Sequence, residues 1–278
     1  MSGELIYVFN KNIATNVDGY RELCNFYYKY KSIKNEIVYL EFSKINTFDA
    51  NLSALFAAML YKLKKENALK FVTDKRVVKQ KFESLFKNGF LTGKSQSLNH
   101  DSNELRIIAF NPEKGDQSFL KYIKEDLLLH SKMNISQEKK YTLTEHFLEV
   151  FANVQIHART EDYTFACGQY MPNQKRLCFT FLDLGEGFLT PIQHYTKGSI
   201  SNCKDAVEWA LKKGNSTKGD APGGLGLSGI ASFCQETNSS LHIITGDTYC
   251  TLENNKQKFK EIQPFCGSII HIIFNYEK

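Results

Sequence analysis

Glu149-Val-Phe-Ala-Asn153-Val-Gln-Ile-His157-Ala158, Asp183-Leu-Gly185-Glu-Gly187 and Gly223-Gly224-Leu-Gly226-Leu227 follow one another in the C-terminal half of the chain, and their reading decides the fold. The first lies in a helical pattern whose buried stripe is Phe147, Leu148, Phe151 and Val154. Glu149 and Asn153 are one turn apart, so they project from one face and reach a common ligand. Thr142-Leu-Thr-Glu145 has the form of a capping box and predicts that the helix opens there. The second segment ends the strand-like run Leu177–Leu182, which pairs as a hairpin with Tyr163–Tyr170 around Pro172-Asn-Gln174. The third is glycine-rich and leads into a helix near Leu227, whose N-terminal N–H groups suit an anion. Gly224-Leu-Gly226-Leu-Ser-Gly229 formally matches G-x-G-x-x-G, but it follows Lys218-Gly-Asp-Ala-Pro222 and not a strand, so the dinucleotide reading fails on context.

In order and spacing the three segments resemble the N box, G1 box and G2 box of the GHKL (Bergerat-fold) ATPases, and Glu-x-x-x-Asn-x-x-x-His-Ala is similar to the N box of the anti-sigma kinases. The resemblance spans about residues 140–275 and implies binding of ATP with a magnesium ion. It makes Asn153 the metal ligand through its side-chain carbonyl and Glu149 the general base. Asp183 would accept a hydrogen bond from the adenine amino group, and Gly185 and Gly187 would let the backbone pass close to the base. Gly224, Gly226 and Leu227 would form the phosphate-binding stretch, the leucine side chains fitting the core. Lys218, in the polar segment from Phe188 to Pro222 that suits a mobile lid, would reach a phosphate. Gly267-Ser268 is similar to the family's Gly-Thr entering the last strand, serine replacing threonine beside the adenine-binding aspartate. His157 reads as a residue capping or packing at the helix end.

Upstream, Leu5–Phe9, Ile37–Phe42 and Leu69–Val72 read as strands. Leu52, Leu55, Phe56, Met59, Leu60 and Leu63 form a helical stripe, and a further helix covers about 76–88 and ends at Gly89. This segment resembles a STAS-type domain, the fold of anti-sigma-factor antagonists. In phosphorylatable STAS proteins a serine follows the aspartate of the strand-to-helix turn; in Phe48-Asp49-Ala50-Asn51 that position is Ala50, and Ser53 lies a turn later. A docking or packing module is the favoured reading. Leu105–Phe110 could join either side, and a helical pattern runs from about 117 to 132. The expected fold class is therefore α/β in two domains. Residues 1–110 form a STAS-like α/β sandwich, and residues 111–278 form a Bergerat-fold sandwich with a mixed, largely antiparallel sheet.

The chain has 278 residues, 42% hydrophobic and 23% charged, with a formal net charge of +5, which are ordinary globular values. The basic run from Lys62 to Lys94 reads as a solvated helix face, so nucleic acid is not an expected partner. Seven scattered cysteines without Cys-x-x-Cys spacing argue against a disulfide framework and against a zinc site. The N-terminus lacks a basic leader region and no run reaches a membrane span, so a cytoplasmic protein off the membrane is expected. The leading functional expectation is an ATP-hydrolysing regulatory switch acting on a protein partner in bacterial signalling. The alternatives are a serine/threonine kinase of the partner-switching kind and a non-hydrolysing nucleotide-dependent module. A histidine kinase is disfavoured, because His130 in Leu-Leu-Leu-His-Ser-Lys lacks the acidic and proline-containing neighbours of a phosphoacceptor. Homodimerisation is common in the superfamily, but no sequence feature locates an interface.

Overall fold

A computed structural model describes residues 4–93, 102–217 and 226–275. The chain begins β1 (Leu5–Val8), α1 (Val17–Tyr30), β2 (Ile37–Glu41), α2 (Ser53–Asn67), β3 (Lys70–Val72), α3 (Lys75–Lys81) and α4 (Glu83–Lys87). It continues β4 (Glu104–Phe110), α5 (Asp116–Lys121), α6 (Gln137–His157), β5 (Thr164–Met171), β6 (Arg176–Asp183), α7 (Leu189–Tyr195) and α8 (Cys203–Leu211), and closes with α9 (Gly226–Glu236), β7 (Ser240–Glu253) and β8 (Lys256–Asn275). The molecule is mixed α/β. One sheet has three parallel strands in the order β1-β2-β3, and the other has five strands in the order β4-β5-β6-β8-β7. Every pairing in the second sheet is antiparallel, where the sequence suggested a mixture.

The strands read at 5–9, 37–42 and 69–72 are β1, β2 and β3. Between the first two lies α1, a helix that the sequence reading passed over. Asn16 caps it, accepting from the N–H groups of Asp18 and Gly19, and its buried stripe is Tyr20, Leu23, Phe26, Tyr27 and Tyr30. The helix expected over 76–88 is two short ones, because the backbone breaks from helical geometry at buried Phe82 (φ −135°, ψ 63°). Gly89 then takes a left-handed φ of 91°. The pattern over 117–132 divides into α5 and a π-helical turn at Tyr122–Leu127.

Helix α6 starts earlier than the capping-box motif predicts. Ser136 is its N-cap, accepting from the Lys139 N–H, so Thr142–Glu145 lies inside the helix. There the Thr144 hydroxyl donates to the Lys140 carbonyl at 2.8 Å, the usual outlet for an interior threonine. Strand β4 pairs with β5, so the chain passes from one sheet to the other between β3 and β4, ahead of the position 110 read from the sequence.

The elements stack in four layers. Helices α6 and α9 cover one face of the five-stranded sheet through Phe147, Phe151, Ile230, Phe179, Phe181 and Ile270. Helices α1 and α2 cover the other, and the three-stranded sheet packs on their far side; Phe165, Leu182 and Ile269 share one buried cluster with Phe9, Val38 and Phe56. The turn Ala50–Leu52 lies directly on the five-stranded sheet. Its Ala50 N–H donates to Gln169 Oε1 at 2.6 Å, and Asn51 Nδ2 donates to the Thr180 hydroxyl at 3.1 Å. Asp162 fastens the same two layers, accepting from Lys62 at 3.3 Å, Lys65 at 2.5 Å and the Tyr61 hydroxyl at 3.2 Å.

Phe56 is the hub of this packing, 1% exposed, with ring centroids of Phe9, Phe26, Phe48 and Phe90 between 5.4 and 5.9 Å away. Phe56→Ala is expected to remove about 3–5 kcal/mol of unfolding free energy, read as a lower urea midpoint. A loss under about 1 kcal/mol would show that the aromatic cluster relaxes around the void.

Candidate functional site

The cavity between α6 and the five-stranded sheet holds about 870 Å³ of empty space, part of it open to solvent, which is within the size range of small-molecule sites. One wall is α6: Glu149, Asn153 and His157 recur at four-residue steps and all line it. The floor is the pair of strands β6 and β8, which contribute Asp183 and Ser268 with Phe181 and Ile270. Antiparallel register makes Asp183 and Ser268 direct partners across 85 residues of sequence.

Asp183 is 3% exposed. The Ser268 hydroxyl donates to its Oδ2, and the Gly185 N–H donates to its Oδ1 at 2.8 Å. No ion pair to it occurs among the described residues. Burial pushes its carboxyl above the ordinary carboxylate range, and the Ser268 and Gly185 donors pull it partly back. A buried acceptor held only by neutral donors is suited to a ligand that brings one more N–H.

The two glycines after Asp183 serve different contacts. Gly185 does not line the cavity; a Cβ there would stand 2.2 Å from the Ala158 carbonyl oxygen, and that carbonyl accepts from the Glu186 N–H at 3.0 Å. It brings the turn onto the end of α6. Gly187 does line the cavity at a left-handed φ of 71°, where a Cβ would meet Thr245 Oγ1 at 2.5 Å. Thr245, on β7 and paired in register with Ser268, holds this turn by accepting from the Phe188 N–H at 2.9 Å.

Gly226 opens α9 against the α6 wall, where a Cβ would lie 3.1 Å from Glu149 Cβ. The helix N-terminus is therefore seated beside Glu149, with Leu227 lining the cavity and joining the core. Gly223, Gly224 and Lys218 lie outside the described residues. His157, expected to cap or pack at the helix end, shares a 2.9 Å hydrogen bond between its Nε2 and the Thr217 hydroxyl at the mouth.

Phe188, Pro191, Ile192 and Trp209 form the apolar wall facing α6, and the sequence reading assigned none of them to the site. The one available signal was Trp209 itself, the single tryptophan of the chain, in the amphipathic piece at Ala206–Leu211.

Among the described residues no group of three or more His, Cys, Asp or Glu is arranged to hold a metal. A cation here would take Asn153, whose side chain has no hydrogen-bond partner among those residues, and its neighbour Glu149, with most of its coordination left to ligand oxygens and water. That donor set fits magnesium, which prefers few protein oxygens. In the basic run Lys64, Lys65, Lys70, Lys75, Arg76, Lys79 and Lys81 are exposed, as a solvated face requires, while Lys62 and Lys65 also bind Asp162 and Lys81 donates to the Phe42, Ser43 and Ile45 carbonyls. No described helix is long and apolar enough to cross a membrane. No protein-family model matches the chain, and no curated protein matches it.

Proposed function

We propose that this cavity binds ATP with a magnesium ion and that the chain is a slow ATPase of the GHKL type working as a conformational switch, its Bergerat-like half covered on the back of the sheet by a STAS-like half. The observation that carries the reading is the convergence, in one cavity, of a buried Asp183–Ser268 pair at one end and Glu149, Asn153 and the α9 N-terminus at the other. Adenine would lie between the apolar wall and the floor, its amino group donating to Asp183. The triphosphate would run along α6 toward the start of α9, where N–H groups and the helix dipole favour its charge. Bound magnesium would neutralise phosphate oxygens. Glu149 would orient the attacking water and accept its proton, and Asn153 would fix the cation relative to it.

The buried turn of the N-terminal half bears on the kinase alternative. Ala50 and Ser53 are both fully buried, and the Ser53 hydroxyl donates to the Ala50 carbonyl while accepting from Asn88 Nδ2 at 2.9 Å. A phosphorylatable switch at that turn has no access to solvent, so a kinase activity would need a separate target.

The test is isothermal titration of magnesium-ATP into the full chain, with released phosphate measured in the same samples. Binding with slow release is expected; binding without release selects the non-hydrolysing module, and no binding overturns the reading. The affinity is also expected to depend on pH. Protonation removes the acceptor at Asp183, and burial raises its pKa, so binding should weaken as pH falls through a midpoint above the ordinary carboxylate value of about 4. A midpoint at or below about 4 would place the adenine contact elsewhere.

A further inference from the structure

Strands β1 and β2 of the three-stranded sheet are written for burial on both faces, yet the described residues cover only one face of that sheet. Leu5-Ile6-Tyr7-Val8-Phe9 and Ile37-Val38-Tyr39-Leu40 are near-continuous apolar runs, the pattern of parallel strands enclosed on both sides. Tyr7, Phe9, Val38 and Leu40 point into the α1/α2 layer and are buried. On the outer face Ile6 is 45% exposed, Ile37 44%, Tyr39 37% and Val72 45%. The register sets Ile6, Tyr39 and Val72 side by side as one apolar row across all three strands. In the next row Ile37 is flanked by Lys70 on β3, and on the β1 edge by Glu4, the residue before the pair Leu5–Val38.

We propose that this face binds the same face of a second copy of the chain, the two sheets packing about a twofold axis that runs along the strands. Such an axis lays β1 over the partner's β3. Tyr39 then meets its own counterpart, Ile6 meets the partner's Val72, and Glu4 meets the partner's Lys70, so an acid faces a base twice. It also keeps the strand directions aligned, as face-to-face sheets prefer. An axis across the strands would instead press Ile37 onto the partner's Glu41 and Glu4 onto the partner's Val8, setting two carboxylates of each chain against apolar side chains. The first axis leaves one like-charge contact, Glu41 against its own counterpart at the far end of β2, and makes two acid–base pairs, so the balance of charge selects it. The contact is smaller than a standard interface, so the dimer is weak, with a Kd of about 10–100 µM.

Sedimentation of the full chain from about 5 to about 500 µM tests this, since that range brackets the expected Kd. A shift from monomer to dimer mass is expected. Tyr39→Asp should weaken the dimer at least about 30-fold with an unchanged far-UV spectrum, because the ring occupies the centre of the contact and the surface of the monomer. Glu4→Lys and Lys70→Glu should each weaken it about tenfold, and the double exchange should restore it to within about threefold. A monomer throughout the range, or a dimer untouched by Tyr39→Asp, overturns the proposal and leaves the face to a different protein. Single charge reversals without rescue overturn the axis. None of these measurements involves nucleotide, so they stand or fall apart from the reading of the cavity.

Discussion

Asp183→Ala is expected to weaken magnesium-ATP binding at least about 100-fold, close to 3 kcal/mol, while the nucleotide-free chain keeps its far-UV spectrum. The size of the effect follows from burial. The carboxylate sits at the end of β6 with both oxygens already accepting from neutral donors, Ser268 and the Gly185 N–H. Its raised pKa means that folding disfavours the charge: the stability tied to this group is full at low pH and is lost as pH rises through the folded-state value. A charge retained at such a place is suited to an incoming donor, and a base with a carbonyl oxygen where adenine has its 6-amino group, as guanine has, would set acceptor against acceptor. GTP should accordingly bind far more weakly than ATP to the wild type and no differently from ATP to Asp183→Ala. Calorimetry of the four combinations checks this. A variant that folds normally and binds ATP within about threefold of wild type would show that adenine does not contact Asp183.

Much of this site was legible in the sequence because two of its walls are local. A period near 3.6 puts Glu149, Asn153 and His157 on one helix face, and a strand running into Asp183 and two glycines marks the turn beneath them. What periodicity does not give is register. The pairing of Asp183 with Ser268 depends on how β6 and β8 align, and the same alignment brings Thr245 onto the turn at Gly187. Phe188, Pro191, Ile192 and Trp209 were missed for a related reason. They come from short helices whose polar, glycine-containing surroundings look like plain loop, and only the closed fold turns their apolar sides toward the cavity.

The elements misread have local causes too. Thr142 and Glu145 have the spacing of a helix start, but Ser136 precedes them by a turn and a half and takes the cap. The break at Phe82 needs the aromatic layer of Phe42 and Phe48 into which that ring inserts, a tertiary demand that a helical pattern over 76–88 does not express. Helix α1 carries a clear asparagine cap, yet its stripe is built of tyrosine and phenylalanine, residues as much at home in strands.

Glu149→Gln should separate binding from chemistry at the other end of the cavity. Glutamine preserves the shape of the side chain where Gly226 packs against its Cβ, so the start of α9 keeps its seat and magnesium-ATP affinity is expected to stay within about threefold of wild type. Phosphate release should fall about 100-fold or more, since the carboxamide orients water but does not accept its proton. Asn153→Ala is the complementary case: loss of the amide oxygen should weaken binding only when magnesium is present, leaving the affinity for metal-free ATP close to wild type. Turnover unchanged in Glu149→Gln would remove that residue from the chemistry while leaving the binding site intact. Binding lost together with turnover would mean instead that Glu149 holds the helix junction and that its charge belongs to the architecture of the cavity.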